Sequence, residues 1–154
     1  MRIQRAPSFY GHESDDEALE WEWVDEQLRD AGLYWVSTRC EGHPHPRPVW
    51  GVWGDERLFL SIGTPLARDV LASDPLITVH LESGTDVVIV EALAVGESSS
   101  DDVIGAYDEK YEWTYDIEEY GSLIEVVPVK ILAWRAAGWA GRDSFTHAGC
   151  WEFS

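Results

Sequence analysis

Two arginines and a run of tryptophans in one short stretch have the most specific chemistry in this chain. Residues 34–83 read YWVSTRCEGHPHPRPVWGVWGDERLFLSIGTPLARDVLASDPLITVHLES. Arg39 and Arg47 fall on neighbouring strands of an expected hairpin, where they can supply the local positive charge that a phosphate requires. Trp50 and Trp53, with Val49 and Val52, can wall a flat apolar slot, or they can serve as core and dimer contacts, since aromatic side chains dominate buried area in any small barrel. His43 and His45 form an HxH on a turn with Pro44. With no third ligand nearby they read as turn histidines rather than a metal site. His80, on a strand, reads as a satisfied core or interface histidine. No Ser-His-Asp or Cys-His spacing suggests a nucleophile.

The elements that must position these residues follow from pattern and turn chemistry. Tyr34 to Cys40 is rich in aromatic and β-branched residues, and Glu41-Gly42 lets the chain reverse into a strand over His45 to Trp53. Gly54-Asp55-Glu56 is a second turn, and Arg57 to Ile62 is a strand that Gly63 ends. Thr64 then reads as a helix cap, with Pro65 at the first helical position and Asp74-Pro75 as the stop, giving a helix near 65–73. Before this stretch, residues 1–14 have no periodicity and are expected to wrap the surface or stay loose. Ser14-Asp15-Asp16-Glu17 supplies a cap and acids for a helix over 15–31 that Gly32 terminates. Trp21 and Trp23 are two apart and cannot share the centre of one helical face; packing is the reading for both.

Beyond Ser83, the apolar run from Asp86 to Gly96 reads as a strand covered on both faces. Glu91 within it must then sit at a barrel mouth or be paired, because an unpaired buried carboxylate is costly. Ser98-Ser99-Ser100 caps a helix near 100–113, and Asp116 to Gly121 reads as an acidic loop. Leu123 to Arg135 alternates as a long strand, with Pro128 marking an edge or a bulge. Gly138, Gly141 and Asp143 make a turn region, and Phe145 to Phe153 closes the sheet. This order implies a mainly β (α+β) fold, a small barrel with peripheral helices, in one domain over 1–154 with its barrel at 34–153.

The chain has 154 residues, 45% of them hydrophobic, enough for a single core. With 29 Asp and Glu against 11 Lys and Arg, its formal net charge is −18. Such a field repels nucleic acid and anionic membranes, so neither is an expected partner. No apolar run approaches the roughly 20 residues that span a bilayer, and the polar N-terminus lacks a signal-peptide core, so the expected location is the cytoplasm. Cys40 and Cys150 form neither a zinc pattern nor a disulfide framework. Lys110 and Lys130 are the only lysines. A Lys-poor acidic chain fits either a salt-adapted source or a genome that prefers Arg.

Several motifs in running order resemble the pyridoxamine 5'-phosphate oxidase-like flavin or deazaflavin oxidoreductases with the FMN-binding split-barrel fold. Gly42-His43-Pro44-His45 followed by Pro48-Val49-Trp50-Gly51-Val52-Trp53 resembles that family's "GxPH" turn and "PVWGVW" strand. Ala67-Arg68, Leu71-Ala72 and Asp74-Pro75 resemble its "RKARNLAADP" segment, and Val79-His80-Leu81-Glu82-Ser83-Gly84 the strand after it. Tyr107, Lys110-Tyr111 and Trp113 resemble a "YxxKYGW" helix. Ser144-Phe145 and Trp151-Glu152-Phe153 resemble the closing "F…TRWRF" strand. The resemblance covers nearly the whole chain from Trp21 onward.

The resemblance implies a homodimer with cofactor sites at the subunit interface, and an oxidoreductase that transfers hydride between FMN, or the deazaflavin coenzyme, and a small-molecule substrate. It implies Arg39, Arg47, Pro48, Val49, Trp50, Ser61, Thr64, Arg68, Lys110 and Trp151 as cofactor-binding residues. His147 lies where a family member contacts the cofactor. Two departures weaken the phosphate site. Thr64-Pro65-Leu66-Ala67-Arg68 lacks the lysine of the family's "SRKARNL" pattern, and Gly149-Cys150-Trp151 replaces "TRW". Each lost charge-assisted contact removes about 1.5–3 kcal/mol. The alternative expectation is a cofactor-free or small-ligand binding module on the same fold.

Overall fold

The computed structural model describes residues 1–5, 18–135 and 148–154 in full, and the backbone alone at 8–9, 12–13 and 147. In chain order the strands and helices are β1 (Arg2–Arg5), β2 (Ser8–Phe9), β3 (His12–Glu13), α1 (Trp21–Asp30), β4 (Tyr34–Cys40), β5 (His43–Val49), β6 (Gly51–Gly54) and β7 (Arg57–Leu60). They continue as α2 (Pro65–Ser73), β8 (Leu76–His80), β9 (Asp86–Ser98), α3 (Asp101–Tyr111), α4 (Ile117–Tyr120), β10 (Leu123–Arg135) and β11 (His147–Phe153). The expected cap at Ser14 to Glu17, the turn residues Gly138, Gly141 and Asp143, the start of the closing strand at Ser144-Phe145 and the side chain of His147 lie outside the described residues.

Antiparallel pairs order the main sheet as β1-β11-β10-β9-β8-β4-β5, and β6-β7 joins it along β10. The hairpin expected from the sequence forms as β4-β5, with Glu41 and Gly42 at positive φ in its turn. The strand expected over His45 to Trp53 is one run of chain in two parts. It pairs with β4 through Val49, bends at Trp50, and from Gly51 pairs with β7. That bend closes the ring, because β7 leads back through β10, β9 and β8 to β4.

The strand β10 also changes partner. Ile124 to Val126 pair with β7, whereas Lys130 to Arg135 pair with β11, and the β9 register shifts between Pro128 and Lys130. Pro128 therefore marks a bulge, as a residue without an N–H does in a central strand. Residues 2–5, expected to wrap the surface or stay loose, add to β11 as β1. Backbone hydrogen bonding to an open edge fixes a segment whose sequence has no periodicity.

One core fills the barrel, with Val36, Leu58, Leu60, Val79, Val88, Val90, Val126 and Ile131 all fully buried. Each such side chain contributes about 1.5–3 kcal/mol against exposure. Val24 and Leu28, one helical turn apart on α1, plug one side of it. Trp21 packs at ring distances of 5.5 Å from Trp151 and 5.9 Å from Phe153, while the Arg2 guanidinium lies 3.9 Å over its other face. Trp23 packs on the same core, and Arg135 covers it. A smaller cluster of Val52, Tyr107, Tyr115 and Leu123 seats α3 against the outside of β6.

Two expectations are corrected. On β9 Val88, Val90 and Ala92 are buried in the core, and Glu91 is exposed, so its carboxylate keeps its hydration. The segment read as an acidic loop at 116–121 contains the short helix α4, because Asp116 Oδ1 accepts from the amides of Glu118 and Glu119 at 2.9 and 3.2 Å.

Trp151 has 1% exposure, and a Cβ added at Gly149 would lie 2.0 Å from its ring. Gly149→Ala must displace that ring and is expected to cost about 1–3 kcal/mol, as overpacking does. Urea unfolding measures it. An unchanged midpoint would mean that the ring has room to move.

Candidate functional site

The bend at Trp50 opens the largest concavity described, a cleft of about 470 Å³. Pro48, Val49, Trp50, Ser61, Ile62, Gly63, Thr64, Trp113, Tyr115 and Tyr120 line it. Leu33 and Tyr107 complete it. Arg47 is the one charged side chain among these lining residues, so a chain of net charge −18 carries a cleft lined by a cation and no carboxylate.

Arg47 is held from two sides. Its Nη1 donates to Thr64 Oγ1 at 3.0 Å and its Nη2 to the buried Thr38 Oγ1 at 3.2 Å. Its Nε is buried without a hydrogen-bond partner, and among the described residues it makes no ion pair. Thr64 stands at the start of α2 as expected, with its carbonyl accepting from the amides of Ala67 and Arg68. Its hydroxyl does not cap the helix but faces Arg47. A guanidinium, a hydroxyl and the positive end of a helix dipole thus meet at one end of the cleft.

Aromatic rings make up the other end. Trp50 stacks on Tyr111 at 4.6 Å with 5° between planes, and Trp113 meets it at 86° and 6.1 Å. Tyr107 and Tyr115 continue the series with centroids 4.9 Å apart. The chain reverses after α3 because Glu112 takes a left-handed conformation and Asp108 Oδ1 accepts from Tyr115 N at 2.7 Å. That reversal carries Trp113 and Tyr115 back over the cleft. Burial raises the Tyr107 phenol to about 12, against a lowering hydrogen bond from Ser61, so it is a neutral donor at any physiological pH.

Of the ten residues singled out from the sequence, Arg47, Pro48, Val49, Trp50, Ser61 and Thr64 line this cleft together. The other four lie elsewhere. Arg39 pairs with Asp74 at 2.5 Å on the outer face of the hairpin and holds that carboxyl below its usual range. Arg68 runs behind the cleft, donating to Ile62 O at 2.8 Å and to Ser122 O and pairing with Glu97, so it ties α2 to β9 and β10. Lys110 sits behind the Trp50 wall. Trp151 is core, as is Trp53, whose Nε1 donates to Asp25 at 2.7 Å; Val52 belongs to the smaller cluster. His80 stacks on Trp35 with its Nδ1 2.9 Å from Leu81 O. Among the described residues no group of three His, Cys, Asp or Glu is placed to hold a metal ion. Tyr115 and Tyr120 are not among the residues singled out from the sequence; α3 ends at Tyr111, and only the reversal at Glu112 brings them to the cleft.

Lys110 Nζ donates to Gly51 O and to Tyr34 Oη, both at 2.9 Å. Burial disfavours its ammonium form and lowers its pKa from 10.5 to about 8. Between those values the unfolded chain holds more protons on this lysine than the folded one, so its contribution to stability rises with pH and is flat below about 8. The buried phenols Tyr34, Tyr107 and Tyr111 have raised pKa values and oppose the trend once unfolded tyrosine ionises near 10. Urea unfolding of wild type and Lys110→Met from pH 7.5 to 10 should therefore show an upward slope in wild type that the variant lacks. Parallel curves would place the ammonium in water.

No protein-family model matches the sequence, and no curated protein does. Solved structures do. A FAD-binding protein from Mesorhizobium loti superposes with a TM-score of 0.60 at 11% identity, covering 90% of this chain and 98% of its own. A candidate pyridoxamine 5'-phosphate oxidase from Listeria innocua gives 0.59 at 14% identity, covering 73% of this chain and 95% of its own. An F420 reductase gives 0.56 at 18% identity, covering 69% of this chain and 94% of its own. The chain has the split-barrel fold of the pyridoxamine 5'-phosphate oxidase-like proteins.

Proposed function

We propose that the cleft binds the ring and phosphate of FMN, or of the deazaflavin coenzyme, and that the protein is an oxidoreductase acting on a small molecule. The observation that carries this reading is one cleft with a single guanidinium at one end and stacked aromatic rings at the other. Its size, about 470 Å³, suits a ligand of that class. Trp50 and Trp113 offer ring faces, and the backbone of Pro48 to Trp50 offers peptide groups to a polar ring edge. Arg47 and Thr64, at the positive end of the α2 dipole, would hold the phosphate, with the unpartnered Arg47 Nε as a further donor after a small rotation. Solved proteins of the same fold named as FAD-binding and as an F420 reductase support the ligand class.

When bound, such a cofactor supplies the hydride chemistry. What the chain contributes is binding and exclusion of water. Val49, Ile62 and the aromatic rim make a dry slot, and Tyr107 and Ser61 present neutral hydroxyls to whatever lies beside the ring. The reading includes a homodimer. Leu76, Val95 and Val129 are 60%, 52% and 43% exposed, apolar surface that a second copy would cover. It also includes the cytoplasm, where Cys40 and Cys150, both free, stay reduced. No helix among the described residues is long and apolar enough to cross a membrane.

A second reading, a small-ligand binding module without a cofactor, is favoured by the ties that take Arg39 and Arg68 to Asp74 and Glu97 and leave Arg47 alone at the phosphate end. Titration with FMN and with riboflavin, followed by tryptophan fluorescence in high salt, separates the two. Under the oxidoreductase reading both quench, and Arg47→Ala weakens FMN about ten- to a hundredfold, the value of one charge-assisted contact, while leaving riboflavin unchanged. Arg39→Ala leaves both unchanged. Absence of quenching by FMN, riboflavin and the deazaflavin coenzyme would sink the reading in favour of the binding module.

A further inference from the structure

At the corner where β5 gives way to β6, neither peptide group of Gly51 is taken by a strand, and α3 takes both. Gly51 N donates to Tyr111 Oη at 2.9 Å, and Lys110 Nζ donates to Gly51 O at 2.9 Å. Tyr111 Oη lies 2.9 Å from Gly51 O and 3.0 Å from Gly32 O, and its one proton is donated to one of these two carbonyls. Lys110 also donates to Tyr34 Oη, which in turn donates to Leu28 O at 2.5 Å. This chain of contacts links α1, the start of β4, the barrel corner and α3.

Two further facts give the clamp a direction. The Tyr111 ring is parallel to Trp50 at 4.6 Å, so the helix that grips the backbone after Trp50 also supports its indole. A Cβ at Gly51 would lie 2.7 Å from Phe59 O, so the corner admits no side chain. Lys110 and Tyr111 do not line the cleft, whereas Trp50 does and is 40% exposed.

We infer that Lys110 and Tyr111 are positioning residues for the cleft: by fixing both peptide groups of Gly51, they set the plane of the Trp50 indole and hence the width of the slot that receives a flat ring. Packing alone explains neither the ammonium nor the hydroxyl. A methionine and a phenylalanine would fill the same space. What the polar atoms add is a fixed corner, and a wall displaced by about 1 Å can cost about a hundredfold in a site that depends on close approach. The groups facing Lys110 are Tyr34, Tyr111 and, at longer range, Asp30.

The effect on Trp50 is measurable without any ligand; only the effect on ring binding rests on the proposed function. The near-ultraviolet circular dichroism of Trp50 is obtained as the difference made by Trp50→Phe in each background. Lys110→Met and Tyr111→Phe are each expected to cut that difference by at least half, and Lys110→Arg, which keeps donors, to restore part of it. Tyr111→Phe retains the ring and its packing, so it decides the matter if Lys110→Met does not fold. FMN and riboflavin should then weaken together, about tenfold, in contrast to a loss confined to FMN when a phosphate contact is removed. An unchanged Trp50 signal in Tyr111→Phe overturns the inference whatever the ligand results. A wild type that binds none of FMN, riboflavin and the deazaflavin coenzyme overturns the proposed function while leaving the Trp50 measurement to decide this one.

Discussion

The barrel depends on two strands that change partners part-way along. The run from His43 to Gly54 leaves β4 at Val49 and joins β7 at Gly51, and β10 leaves β7 after Val126 and takes β11 from Lys130. Each switch interrupts a ladder, and backbone groups taken out of a ladder must be satisfied some other way. At β10 the cost is small because Pro128 has no N–H to satisfy. At Trp50 the solution is different. The carbonyl of Trp50 accepts from Ser61 N at 2.9 Å, and the two groups of Gly51 go to Tyr111 and Lys110. The first switch lets the sheet extend beyond the barrel; the second leaves a hollow against which α3 and the turn after it are drawn.

Much of the architecture was legible because its punctuation is local. Glu41-Gly42, Gly54-Asp55-Glu56, Thr64-Pro65 and Asp74-Pro75 each act through the conformations of their own residues, and each boundary falls where that chemistry puts it. The bend at Trp50 was not legible. Pro48-Val49-Trp50-Gly51-Val52-Trp53 has the composition of one strand, and only the pairing partners on either side reveal the corner. The same limit applies to Arg2–Arg5, whose strand exists because β11 offers an edge. Glu91 shows the converse error. A continuous apolar run suggests two covered faces, but Val95 and Glu91 are exposed on one of them, and apolar residues need not all be inside.

The site was legible on its strand side and not on its helix side. Arg47, Pro48, Val49 and Trp50 are consecutive, and Ser61 and Thr64 follow the paired strand, so reading the hairpin correctly brings them together. Arg39 and Arg68 look equally suitable in sequence. Their difference from Arg47 lies in the neighbours that folding supplies, Asp74 and Glu97, which are far along the chain. Tyr115 and Tyr120 could be placed only by knowing that Glu112 turns the chain back, and a positive φ at a glutamate leaves little trace in composition.

Charge acts on the cleft at two ranges. At long range the 29 carboxyl residues repel any anion approaching the protein. At contact range the lining presents Arg47, neutral hydroxyls and a helix N-terminus. Salt acts unequally on these. The Debye length shrinks from about 10 Å at 0.1 M to about 3 Å at 1 M, which removes the repulsion between an incoming phosphate and distant carboxylates. A guanidinium already in contact, with its Nε buried and two of its nitrogens held by Thr38 and Thr64, is screened far less. The surface that would oppose an anion in dilute buffer therefore ceases to oppose it in concentrated salt.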